Sequence, residues 1–331
     1  MLDIPLKRLN NLKKKFYNKR IAVVGDMMLD CYFWGAVSRI SPEAPVPVVE
    51  VDNEFYRFGG AMNVAKNIST LGAVPLPIGV IGNDNEGKLL RNLMYDSKIS
   101  DAAIVVDKSR PTTAKTRVIA NDQHVVRIDK EKTYAISSSV EKKILGILKK
   151  EIKKLDAIIL QDYNKGVLTK SLIEEVISIA NESKKIITVD PKFNNFFDYQ
   201  NVTVFKPNRK ETEDALGIRI RDDNEINTAG FKLLEKLNSK YVLLTLSESG
   251  IALFEKNKVV RRVPTKTHKV ADVSGAGDTV ISTLTVALTA GADIYDAAYL
   301  ANFAGGLVCQ EVGIVPIEIN NLFNAVIDEL K

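Results

Sequence analysis

The feature that most constrains this chain is the alternation of short, β-branched apolar runs with stretches of helical period. The runs lie at 21–25, 76–81, 157–160, 186–189, 202–205 and 242–246, and amphipathic stretches at 60–71, 86–95, 138–153, 171–181 and 228–237 fall between them. Apolar strands buried on both faces and separated by helices are what a mostly parallel sheet requires, so the pattern predicts an α/β fold. After 246 the rhythm changes. Residues 251–254 and 259–263 read as a hairpin with a charged turn, followed by helices starting near Gly275, Asp293 and Pro316.

Two segments break the rhythm. Residues 32–51 and 113–129 alternate apolar and polar, as half-exposed antiparallel strands do, and Pro42, Pro45 and Pro47 confine the first to an edge or a loop. Strands inserted between βα units predict a small lid over the carboxyl ends of the main strands, where α/β sheets take their ligands. No repeat or low-complexity linker interrupts the 331 residues, so a single domain with a lid is expected.

Composition excludes several functions. Two cysteines, Cys31 and Cys309, give neither a disulfide framework nor a Cys-based zinc site and fit a reducing cytoplasm. No run approaches the roughly 20 apolar residues of a membrane span. Lys and Arg number 46 against 41 acidic residues, and a net charge of +5 is small for this length, so neither a membrane nor a nucleic acid is expected as partner. The two histidines, His124 and His268, rule out multi-histidine metal clusters, and without a G-x-S-x-G elbow they read as surface or loop residues.

The strongest motif is Asp272-Val-Ser-Gly-Ala-Gly-Asp278, which opens an apolar helix. Gly275, Ala276 and Gly277 let backbone N–H groups close around an anion at a helix N-terminus. A carboxylate inside that nest repels phosphate, so Asp278 makes most sense as a base that takes a proton from an attacking hydroxyl while the amides stabilise a phosphoryl group in transfer. A plain capped Gly-rich turn is the simpler alternative. Gly82 to Leu89 has the glycine and lysine spacing of a P-loop, but Leu89 stands where a hydroxyl is needed and Asp84 and Glu86 oppose phosphate; it reads as a turn and helix start.

Three further motifs have two readings each. Gly59-Gly60-Ala-Met-Asn63 permits close approach of a ligand, with Asn63 presented to a sugar hydroxyl, or serves only helix–sheet packing. Asp26 and Asp30, past the first strand, suit vicinal hydroxyls of a polyol or are turn residues. Asn208-Arg-Lys-Glu211 is close to a capping box, and an Asn and a Glu beside a triphosphate can also hold magnesium through water.

Taken together, Gly-Gly-Ala-x-Asn, Asn-x-x-Glu and Asp-x-Ser-Gly-Ala-Gly-Asp resemble the ribokinase-like (PfkB-type) carbohydrate kinases. Within that family Gly25 to Asp30, Ser38-Arg-Ile-Ser-Pro-Glu-Ala-Pro-Val-Pro-Val48, Asp162-Tyr-Asn-Lys-Gly166, Asp190-Pro-Lys192 and Asp272 to Val280 are similar to the heptose-7-phosphate kinase branch of bacterial ADP-heptose synthesis. The similarity runs from about Ile21 to the end of the chain, least closely over 315–330. It implies a three-layer α/β sandwich with a mostly parallel central sheet and a β lid. It also implies ATP- and magnesium-dependent phosphorylation of D-glycero-β-D-manno-heptose 7-phosphate on its C1 hydroxyl, for lipopolysaccharide core synthesis in the cytoplasm.

The resemblance assigns roles. Asp278 matches the catalytic base, and Gly275, Ala276 and Gly277 the anion hole. Asn208, Arg209, Lys210 and Glu211 match the nucleotide and magnesium segment; Thr245, Ser247 and Gly250 the loop beside the ATP phosphates; Asn302 and Gly305 the adenine enclosure. Asp26, Asp30, Gly59, Gly60 and Asn63 match the sugar pocket. Some relatives bind potassium at the positions of Asp272 and Ser274. The substrate's own phosphate needs cations, and Arg39, Lys115, Arg117, Lys165 and Lys192 fall in loops expected to face the cleft.

Relatives often clasp two lids together, which implies a homodimer. The adenylyltransferase fused to this kinase in many bacteria carries His-x-Gly-His, absent here, so a separate adenylyltransferase is the expected pathway partner. A kinase of another sugar or sugar phosphate shares these motifs. A non-catalytic sugar-phosphate sensor of the same fold is the third reading, and its mark would be a broken Gly-Ala-Gly-Asp, which is intact.

Overall fold

The computed structural model describes residues 5–121, 123–265, 271–311 and 313–329; His268 lies outside them. The chain opens with a helix, α1 (Leu6–Phe16), that lysine-rich composition masks: Leu9, Leu12 and Phe16 are buried at helical spacing while Lys13, Lys14 and Lys15 occupy its last turn. Strand β1 (Arg20–Gly25) then runs through the core and leads directly into β2 (Met27–Ile40), which returns as β3 (Pro47–Gly60) before helix α2 (Ala61–Thr70).

Alternating elements follow: β4 (Val74–Ile81), α3 (Asn85–Asp96), the short β5 (Ile104–Val106), β6 (Thr113–Ala120), β7 (Gln123–Lys130), α4 (Ser138–Glu151), β8 (Ala157–Gln161), α5 (Lys170–Glu182), β9 (Ile186–Asp190) and β10 (Val204–Phe205). The rest comprises α6 (Arg209–Leu216), α7 (Asp223–Leu237), β11 (Tyr241–Thr245), β12 (Ile251–Glu255), β13 (Arg261–Val263), α8 (Ala276–Thr289), α9 (Ile294–Val308) and α10 (Ile319–Glu329).

The apolar runs form one nine-stranded sheet in the order β13-β12-β11-β10-β9-β8-β1-β4-β5. Pairings from β5 to β11 are parallel, and the expected hairpin adds β12 and β13 antiparallel at one edge. One face packs α1, α2, α8, α9 and α10, the other α4, α5 and α7, giving a helix–sheet–helix sandwich with two apolar clusters. Helix α8 is apolar nearly all round because it lies inside the first layer, buried from Asp278 to Ala287. The P-loop look-alike is a turn and helix start, with Asp84 capping α3 by accepting the Gly87 N–H at 3.0 Å.

A second sheet, β3-β2-β6-β7, is the lid, and it corrects the expectation in two ways. It starts at Met27 rather than 32, since Met27-Met28-Leu29 is buried on both sides and shows no alternation. Its central pair β2 and β6 is parallel, not antiparallel. Alternation specifies which face a residue takes but not the direction of strands joined by a long crossover. Pro42 and Pro45 lie in the turn between β2 and β3, and Pro47 opens an edge strand. Among the described residues no helix is long and apolar enough to cross a membrane.

Candidate functional site

Parallel strands deliver their next residues to one edge of the sheet, and four of them deliver polar groups: Asp26 after β1, Gln161 ending β8, Asp190 ending β9 and Lys206 after β10, all buried. Helix α8 brings its first turn to the same edge. Gly275 caps it at φ 81°, a left-handed conformation that glycine takes without penalty, and the N–H groups of Gly277 and Asp278 meet no acceptor among the described residues.

Asp278 sits at the centre of this edge, 4% exposed. Asn63 of α2 donates to its Oδ2 at 2.7 Å, and Gln161 Nε2 and the Tyr163 hydroxyl donate to Oδ1 at 3.1 and 2.8 Å. Burial pushes the Asp278 pKa up to about 6, helped by the Asp190 charge and opposed by the donors Asn63 and Tyr163. Gln161 Nε2 also reaches Asp190 at 3.2 Å, whose other oxygen pairs with Lys206 Nζ at 3.0 Å. The same burial raises the Tyr163 phenol well above its ordinary value, so it stays a donor.

Beside Asp278 opens a cavity of about 500 Å³, lined by Gly275, Ala276, Gly277, Asp190, Lys192, Lys206, Asn208, Glu211, Thr245, Ser247, Gly250, Asn302 and Gly305 among others. Most of the expected nucleotide residues therefore share one chamber, of the size a nucleotide needs. Two do not join it: Lys210 is exposed and pairs with Asp214, and Arg209 does not line the walls. Asn208 and Glu211 form a full capping box on α6, and the second Glu211 oxygen holds Lys192. Burial acts to lower the Lys192 pKa, but Asp190 and Glu211 overcome it and raise it.

The expected sugar residues divide. Gly59 stands by Asp30, whose Oδ2 would lie 2.3 Å from a Cβ at position 59, whereas Asn63 turns to Asp278. The paired glycines thus admit protein groups: the Asp30 carboxylate at Gly59 and the Asp26 carbonyl at Gly60. Asp30 faces Arg117 in an ion pair, and burial still raises its pKa. Asp26 accepts the N–H groups of Tyr163, Lys165 and Val167 at 2.8, 3.1 and 3.2 Å, so its carboxylate ties the loop after β8 to the end of β1.

Asp272 accepts from the Ser274 and Gly313 N–H groups; burial acts to raise its pKa, yet these bonds hold it low. Of the cations, Lys165 pairs with Glu131 at 2.7 Å, and Arg39 is exposed at the lid's far end beside Glu50. Lys115 stands on the lid opposite Asp30, with no ion pair among the described residues. Gln161, Tyr163, Asp190 and Lys206 carry no role in the sequence reading. The available signal was that each falls at or just past the carboxyl end of an apolar run.

Residues 18–319 match the pfkB family carbohydrate kinases. Over 303 residues the chain is 43% identical to the bifunctional protein HldE of Desulfatibacillum aliphaticivorans, covering 92% of this chain and 62% of that protein. It is 41% identical over 295 residues to the bifunctional protein HldE of Helicobacter pylori (strain HPAG1), covering 89% of this chain and 64% of that one. The chain therefore spans less than two thirds of the length of these curated relatives. Among solved structures, the Arabidopsis thaliana ribokinase complexed with ribose and ATP is similar with a TM-score of 0.72 at 18% identity, covering 93% of this chain and 99% of that one. Phosphofructokinase-2 from Escherichia coli, in complex with substrates and products, gives a TM-score of 0.74 at 16% identity, with 93% and 99% covered. The fold is ribokinase-like, with a mostly parallel sheet and a small second sheet as expected.

Proposed function

Because this chain belongs to the pfkB family of carbohydrate kinases, we propose that it transfers the γ-phosphoryl group of ATP to the C1 hydroxyl of D-glycero-β-D-manno-heptose 7-phosphate. The observation that carries the reaction is the buried Asp278 carboxylate at the foot of α8, beside amides that meet no acceptor among the described residues. The heptose is supported by identity of 41–43% with proteins named HldE. The lid and the main sheet act as one catalytic domain, working in the cytoplasm.

In the proposed reaction Asp278 accepts the acceptor hydroxyl's proton as its oxygen bonds to phosphorus, the bond from phosphorus to the bridging oxygen breaks, and ADP leaves. The N–H groups of Gly277 and Asp278 face the charge that spreads over the transferring oxygens, in a site from which the lid excludes water. Magnesium supplies neutralisation of the phosphate oxygens. Among the described residues no three His, Cys, Asp or Glu side chains converge on one point, and Glu211 is already engaged by Asn208 and Lys192, so Glu211 would hold the ion through water. Asp272, kept ionised at the start of the anion loop, and Ser274 are the residues that would hold potassium.

A second copy of the chain is the proposed partner of the lid, whose β7 is an edge strand exposed along its length with Val126 and Ile128 about half exposed. Light scattering giving a monomer at micromolar concentration removes that dimer.

Two outcomes follow. The base works only when ionised, so kcat/KM is expected to hold above about pH 7 and to fall tenfold per pH unit below the Asp278 pKa of about 6. A pH–rate profile flat down to pH 5 contradicts this. At Gly277 a Cβ would meet only Lys206 Nζ at 3.7 Å and Asp190 Oδ2 at 3.8 Å, ordinary contacts, so the fold itself does not demand glycine. Gly277→Ala is expected to keep or raise Tm, as replacing a helical glycine contributes about 0.5–1 kcal/mol. Its kcat is expected to fall at least about tenfold, because the methyl group intrudes where the phosphoryl group passes. Unchanged kcat places the anion elsewhere.

The test is ADP release with magnesium-ATP, comparing heptose 7-phosphate with ribose, fructose 6-phosphate and sedoheptulose 7-phosphate. A preference for the heptose phosphate is expected. Preference for another sugar keeps Asp278 as base and discards the heptose, and tight sugar-phosphate binding without turnover makes the chain a sensor.

A further inference from the structure

The lid register gathers charge on one face. Asp30 lies opposite Arg57 and Tyr32 opposite Phe55 across β2 and β3, while across β2 and β6 Asp30 lies opposite Lys115 and Tyr32 opposite Arg117. Directly opposed residues project from the same side of a sheet. That side meets the anion loop's support: Arg57 Nη1 donates to the Ile314 carbonyl at 2.8 Å, and the adjacent Gly313 N–H donates to Asp272 at 3.1 Å.

On this face two guanidinium groups share one ring. The Tyr32 and Phe55 rings stack 4.8 Å apart at 6°, and the guanidinium carbons of Arg57 and Arg117 lie 5.7 and 5.2 Å from the Tyr32 centroid. The ring fixes both side chains, so little of their rotamer freedom is left to lose on binding. Arg57 spends one nitrogen on the Ile314 carbonyl, leaving the rest of its fork for a ligand.

The charges do not balance within the protein. Arg117 pairs with Asp30, but among the described residues neither Arg57 nor Lys115 has a carboxylate within ion-pair distance. The next strand sets Arg127 opposite Arg117 and Asp129 opposite Lys115, and those two pair with each other. Asp272 also lies toward Arg117, so four cations stand against three carboxylates; Arg57 and Lys115 are the two without an ion-pair partner among the described residues, and this excess of positive charge suits a phosphate monoester. A neutral sugar offers nothing to neutralise that excess.

We propose that Arg57 and Arg117, propped on Tyr32, bind the phosphate monoester that the acceptor sugar carries away from its reacting hydroxyl, and that Arg57 sets the preference for phosphorylated sugars. This rests on the reading of the chain as a sugar-phosphate kinase and names the residues that recognise the phosphate. Arg39, Lys165 and Lys192 are occupied instead by Glu50, Glu131 and Glu211. The fork of Arg57 takes two phosphate oxygens side by side, which a lysine does only as a point charge.

The test compares heptose 7-phosphate with the same heptose lacking its phosphate, for the wild type, Arg57→Gln and Arg57→Lys. Arg57→Gln is expected to raise KM for the phosphorylated sugar about tenfold to a hundredfold, the loss of one or two charge-assisted bonds. The preference for phosphorylated over unphosphorylated heptose falls by the same factor, KM for ATP changes less than about threefold, and Arg57→Lys recovers part. A preference that survives Arg57→Gln within about threefold overturns the proposal.

If the wild type turns over no sugar phosphate, the kinase reading fails separately, and inorganic phosphate then probes the site by thermal shift. Stabilisation of the wild type that Arg57→Gln loses supports the anion site. Equal stabilisation of both proteins, or of neither, overturns it.

Discussion

Asp278→Asn is expected to lower kcat by about 10²- to 10⁴-fold, the range that a positioned general base contributes. The substitution keeps shape and one acceptor oxygen, so the Gln161 and Tyr163 donors retain a partner, and the Asn63 amide can turn over to accept from the new NH₂. Stability moves the other way. Burial raises the Asp278 pKa to about 6, above its value in an unfolded chain, so ionisation disfavours the folded state as pH rises through that value. At pH 8 the Asn variant is therefore expected to unfold at the same or a higher temperature than the wild type. A kcat loss under a hundredfold removes Asp278 from the role of base, and a large loss with a lowered Tm makes it structural.

Lys206→Met is expected to cost about 3–5 kcal/mol of stability, the penalty for stranding a buried charge. Lys206 and Asp190 form an ion pair at 3.0 Å with side chains 4% and 8% exposed, and Asp190 is linked through Gln161 to Asp278. Without the ammonium group the Asp190 carboxylate loses its ion-pair partner, keeps only the more distant Lys192 charge, and lies near the buried Asp278 carboxylate. The change also withdraws a charge that holds the Asp278 pKa down, so the acid limb of the rate profile is expected to move to higher pH. Urea unfolding measures the first effect, and the double variant Asp190→Asn, Lys206→Met is expected to recover most of the loss. A single variant within about 1 kcal/mol of wild type shows that the pair contributes little.

The α/β rhythm was legible because buried parallel strands are continuous apolar runs, and 157–160 and 186–189 fall within the observed β8 and β9. Helix α1 was not, since Asn and Lys between Leu9, Leu12 and Phe16 dilute the apolar stripe that docks it. The three-residue β5 is too short to show a period. At the site, Gly275 to Asp278 announce themselves because chemistry and spacing coincide in one stretch of sequence.

Tyr163, Gln161, Asp190 and Lys206 meet Asp278 or one another only through the order of strands in the sheet, which no local pattern encodes. In the proposed lid clamp, Arg117 was among the cations expected to face the cleft, whereas Arg57 was hidden for the same reason. Arg57 and Arg117 lie on strands that share only β2 as neighbour, and the ring between them belongs to that strand.

The most direct test is phosphorus NMR of the product formed from heptose 7-phosphate and magnesium-ATP. One new sugar-phosphate resonance, coupled to the anomeric proton and appearing in step with ADP, is the expected result. ADP accompanied by inorganic phosphate alone, or a new phosphate on any other carbon, contradicts transfer to the C1 hydroxyl.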